Sequence, residues 1–156
     1  MRRRSLSSLL AALALGACAH PVAPAPPGPQ MAWGLTESPD EAKLAFGQED
    51  TDNIILMLAC RPQSDAVLVS LIDFDKRDRP VMVLEAGRTS SRHEALAQPD
   101  MITDGYIVEA TTSAGDPALG RFAAGEPLSV RVGARRTHLP AAPAEGRRFL
   151  EICRGA

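Results

Sequence analysis

Ser90, His93 and Asp100 fall in one short polar stretch and carry the residue types of a nucleophile, a general base and an orienting carboxylate. Acyl transfer would need that trio in mutual contact. A solvated strand offers the same residue types, and it is the simpler reading. His138, between Thr137 and Leu139, alternates outward from a strand pattern and reads as a surface histidine. The acidic runs "QEDTDN" and "DFDKRD" could suggest a cation. An EF-hand loop needs glycine at its sixth position and glutamate at its twelfth. Counted from Asp73, those positions hold Asp78 and Leu84, so the pattern fails and turn chemistry explains both runs. No G-x-S-x-G, P-loop, G-x-G-x-x-G or H-E-x-x-H motif occurs. The three cysteines, Cys18, Cys60 and Cys153, lack the second C-x-x-C or H-x-x-x-H spacing that a metal site would call for. The expectation is therefore no enzyme, no cofactor and no metal.

The segments that would have to position these residues begin with an address. Arg2, Arg3 and Arg4 form a basic start, and residues 6–15 form a short apolar run. That run is about ten residues, where a bilayer span takes about twenty. Small residues follow it up to Cys18. The order Leu15-Gly16-Ala17-Cys18 resembles a bacterial lipobox. The resemblance covers residues 1–19. It implies cleavage before Cys18 and acylation of that cysteine, with residues 1–17 as signal peptide. A plain secretory signal cleaved nearby is the alternative. Several acyl chains on one residue anchor a protein durably, because each buried methylene contributes about 0.8 kcal/mol. Ala19, where retained inner-membrane lipoproteins tend to carry aspartate, implies the outer membrane, periplasmic face. A Gram-positive cell surface is the other setting the signal allows.

Residues 18–31 form the lipidated cysteine and a tether. Five prolines between residues 19 and 31, with no hydrophobic periodicity, give extended polyproline-like chain. His20 lies within it and reads as inert. With Cys18 assigned to lipid, Cys60 and Cys153 are an even pair in an oxidising compartment, and a disulfide between them is expected. Two buried free thiols are the alternative.

Residues 32–156 suit one β-rich periplasmic domain. Hydrophobic residues make up 45% of the 156-residue chain but aromatics only 4%, so the core must be aliphatic. That poverty of aromatic residues excludes a base-stacking surface, and nucleic acid is not an expected partner. Without Arg2, Arg3 and Arg4, 14 basic residues face 19 acidic ones, a net charge of −5. Seven arginines lie beyond residue 117. Among them Arg131, Arg135, Arg136, Arg147 and Arg148 are a candidate patch for anionic lipid, lipopolysaccharide or an acidic protein partner, with a solvated face as the bland alternative.

Strand signals dominate. "NIILMLACR" is apolar on both faces and reads as a central, well-covered strand. "AVLVSLIDFD" follows after the turn "PQSD", placing Cys60 near a hairpin. "VMVLEAG", "GYIVEATTS" and "PLSVRVG" read as further strands, and "RRTHLP" pairs with the last of them across Gly133-Ala134. Residues 88–96 read as a polar edge strand. "AWGLTES" and "AKLAFGQ" supply one or two more. A short helix is expected near 116–124, with Asp116 as its cap and Pro117 in its first turn. A C-terminal helix near 144–154 would put Phe149, Ile152 and Cys153 on one face. The predicted class is mainly β: an antiparallel β-sandwich or open barrel with two helices.

"FAAGEPLSVRVGARRTHLPAAPAEGRRFLEIC" resembles the closing segment of small periplasmic β-sandwich proteins such as the invasion-associated locus B group. It covers about a fifth of the chain, and it implies the fold and the disulfide. The expected function is a non-enzymatic binding or envelope-structural module held at the membrane by its lipid. A lysozyme-inhibitor-like lipoprotein is the alternative. Those inhibitors carry Tyr-x-Cys and Ser-Gly-x-x-Tyr, where this chain has Leu58-Ala59-Cys60 and no such loop. An unrecognised hydrolase is the third reading.

Overall fold

The computed structural model describes residues 30–73, 75, 78–101 and 104–155. The signal peptide, Cys18, His20 and nearly all of the tether lie outside the described residues. Nine strands and two helices are formed. They are β1 (Met31–Glu37), β2 (Ala42–Gln48), β3 (Ile54–Cys60), β4 (Ala66–Asp73), β5 (Val81–Ala86), β6 (Thr89–Pro99), β7 (Tyr106–Ser113), α1 (Pro117–Ala123), β8 (Leu128–Val132), β9 (Arg135–Leu139) and α2 (Pro143–Arg154). The strands make one antiparallel sheet in the order β1-β2-β3-β4-β7-β6-β5-β8-β9, curled into a half-barrel. Of the two β architectures the sequence allows, this is the open barrel. Among the described residues no helix is long and apolar enough to cross a membrane.

Residues 88–96 are not an edge. β6 is an eleven-residue strand in the middle of the sheet. Thr89 to Glu94 pair with β5, and Ala95 to Pro99 pair with β7, so β6 carries the sheet around its bend. Its polar character has a cause. Ser90, Arg92 and Glu94 face solvent, while Ser91 and His93 face inward beneath the start of α1.

The concave side holds the core. Alternation fixes it: Leu56, Leu58 and Cys60 of β3 stand opposite Leu71, Val69 and Val67 of β4, and all six are buried. Met82 and Leu84 of β5 and Val130 and Val132 of β8 continue the same face. The two helices fill the concavity, with Leu119 and Phe122 from α1 and Phe149 and Leu150 from α2. They approach closely at Gly146, where a Cβ would lie 3.0 Å from the Phe122 ring. Three of the six aromatics gather where β1 meets the helices. Trp33 tilts against Phe46 and Phe122, with ring centroids 5.3 and 5.1 Å apart. Its Nε1–H donates to the Pro140 carbonyl at 2.8 Å.

Cys60 and Cys153 are bonded, with Cα atoms 5.8 Å apart. The bond ties the last turn of α2 to the end of β3. The loop after β3 completes the join: the Gln63 and Asp65 amides donate to the Ile152 and Cys153 carbonyls, both at 3.0 Å. Those carbonyls are among the four that a helix end leaves without partners.

Candidate functional site

Three places bring chemistry-bearing residues together. The first lies under α1. Asp116 caps the helix through Oδ1, which accepts from the Ala118 amide at 2.8 Å and the Leu119 amide at 3.1 Å. Its other oxygen accepts from Thr112 Oγ1 at 3.0 Å and lies 3.1 Å from His93 Nε2. Ser91 Oγ lies 3.1 Å from the same nitrogen. Burial pushes the Asp116 carboxyl upward, but hydrogen bonds from the Ser91 and Thr112 hydroxyls and the Leu119 and Ala118 amides outweigh it and hold it below its ordinary value. The cluster contains a serine, a histidine and an aspartate, yet it is not a relay. A relay sets the serine and the carboxylate on opposite ring nitrogens. Here both meet Nε2, and the aspartate is occupied as a helix cap.

The sequence trio Ser90, His93 and Asp100 is not assembled. Ser90 and His93 alternate onto opposite faces of β6, and Asp100 lies past the strand's far end, its amide bonded to the Gly105 carbonyl. His138 is exposed on β9, where Nδ1 meets Ser129 Oγ at 2.8 Å. Among the described residues, no group of three or more histidine, cysteine or acidic side chains is placed to hold a metal ion.

The second place is the arginine set, which is divided rather than convergent. Arg131 and Arg136 are cross-strand neighbours on β8 and β9, and both turn to Glu85, at 3.6 and 3.1 Å. Arg135 points to the other face and pairs with the buried Asp73 at 3.6 Å. Arg148 is held bidentate by Glu37 of β1, at 3.0 and 2.8 Å. Hydrogen bonding to Arg148 lowers the Glu37 carboxyl in turn. Arg147 is exposed beside it on α2. Carboxylates from three other strands partner four of the five arginines.

The third place was missed by the sequence reading. A cleft of about 470 Å³ has an aliphatic floor of Ile55, Met57, Ile72 and Ile107, all half-buried. Register puts Met57 opposite Ser70 and Ile72 opposite Ile107, on the face of β3, β4 and β7 away from the core. Ser70 Oγ donates to Glu109 in the cleft at 3.0 Å. Asp52, Asp100 and Arg135 stand at its rim. The signal was present in "NIILMLACR", whose apolar second face implied a covering layer. No such layer is among the described residues, and that face is left as the cleft. Compared with models of known protein families, with curated proteins and with solved structures, the chain matches none.

Proposed function

We propose that this protein is a lipid-anchored, non-enzymatic binding module. It is held through acylated Cys18 at the periplasmic face of the outer membrane, and it binds a partner's aliphatic group in the cleft on β3, β4 and β7. The observation that carries the binding role is the aliphatic floor of that cleft: four half-buried side chains on a sheet face that alternation would otherwise make polar. Contiguous apolar surface of this kind is where ligands and partners dock. The anchor reading rests on the lipobox resemblance, and the bonded Cys60 and Cys153 leave Cys18 as the remaining thiol. The non-enzymatic reading is supported by His93, whose carboxylate partner caps α1.

Titration with the neutral apolar dye Nile red tests the cleft. Saturable binding is expected, weakened about tenfold by Ile107→Lys or Met57→Lys, since each removes half-exposed aliphatic surface that the dye would cover, worth up to about 1.5 kcal/mol. Affinity unchanged in both variants would place the apolar site elsewhere.

A further inference from the structure

We propose that β1 is an open sheet edge that pairs with β1 of a second copy of this chain, antiparallel and centred on Gly34. The two edges of the sheet are built differently. β9 carries Arg135, paired inward with Asp73, Arg136, paired with Glu85, and His138 within five residues, the inward charge and polar dressing that keep an edge from recruiting another strand. β1 runs seven residues as MAWGLTE, with no proline and no basic residue. Its one charge, Glu37, sits at the far end and is held by Arg148. Among the described residues, the backbone hydrogen bonds of β1 run to β2, and none reaches its outer side. The chain just before β1 is ill suited to cover that side, because prolines at 21, 24, 26, 27 and 29 have no N–H for a ladder.

A second copy fits. Centred on Gly34, the register sets Trp33 of one copy beside Leu35 of the other on the inner face, an aromatic–aliphatic pair of the kind that stabilises sheets. On the outer face Ala32 meets Thr36. At the centre two glycines meet, and a Cβ on Gly34 would find nothing within 4 Å. The length of chain preceding β1 permits the arrangement on a membrane. Antiparallel pairing separates the two chain entries by about 23 Å, the length of a seven-residue strand. Twelve residues of any chain can span at most about 40 Å. One strand pair is smaller than the roughly 800 Å² per partner of a standard interface, so the contact is weak in dilute solution. Anchoring raises the local concentration of the two copies, and in that respect alone the pairing rests on the proposed lipidation.

The test uses the full chain in its own membranes, with a photo-crosslinking benzoylphenylalanine at Ala32. A homodimer band is expected. Gly34→Lys or Gly34→Glu alone should each cut it about fivefold, because each places like charges directly opposite. Co-expressing the two variants should restore it. No band in acylated wild type, or a band that survives in both single variants, overturns the pairing. The acylation state of Cys18, read by mass spectrometry of the same samples, keeps the two ideas apart. A dimer without acyl chains removes only the anchor. An unacylated sample is then concentrated to about 1 mM and sedimented, near the weak end of measurable affinities. A strict monomer there also overturns the pairing.

Discussion

Replacing Cys60 by alanine is expected to lower the stability of the domain by about 2–5 kcal/mol, the usual cost of losing a native disulfide. For a domain of this size that is roughly 10–20 °C in melting temperature. Two effects add. The bond closes a loop with sequence separation 93, which restricts the unfolded chain. It also fixes the last turn of α2, where Cys153 is fully buried beside Phe149 and the Gln63 and Asp65 amides cap the helix carbonyls. Thermal unfolding with a reductant should bring wild type down to the level of Cys60→Ala and leave the variant unchanged. Equal melting temperatures for wild type with and without reductant would mean that the bond contributes nothing.

The second large effect is expected at Asp116. Asp116→Ala removes the oxygen that accepts from two amides at the start of α1 and strands Thr112 and His93 beneath it. A lost cap costs about 0.5–2 kcal/mol and an unsatisfied buried group about 1–3 kcal/mol, so urea denaturation should report a loss of roughly 2–4 kcal/mol. Asp116→Asn, which still caps, should fall between. The pH dependence has a definite sign. The folded carboxyl titrates below its ordinary value of about 4. Its contribution is therefore present above about pH 4 and is lost as the pH falls through the lowered folded value. The gap between wild type and Asp116→Ala should accordingly narrow in acid. A gap that widens on acidification would contradict the assignment, as would an alanine variant as stable as wild type.

Local signals carried much of this structure. Asp116 followed by Pro117 announced α1, and the alternation of Leu128, Val130 and Val132 oriented β8. The hairpin across Gly133, with φ of 59°, places Arg131 opposite Arg136 as its spacing suggested. What the sequence hid is long-range. β6 looked like an edge because both its faces are polar, but the inner polarity answers the α1 cap 23 residues away. The arginines looked like a patch because Glu85 and Glu37, their partners 51 and 111 residues distant, are invisible to any local pattern. The cleft followed from the same limit. A strand apolar on both faces can be covered or open, and only the sheet order separates the two.

The central claim is a binding module tethered by lipid through Cys18, and the N-terminal peptide of the protein purified from membranes tests it most directly. Mass spectrometry should find Cys18 as the first residue, carrying the added mass of its acyl chains. Metabolic labelling with a palmitate analogue should mark wild type and leave Cys18→Ser dark. A mature chain that begins elsewhere, or Cys18 with a free alkylatable thiol, would contradict the account.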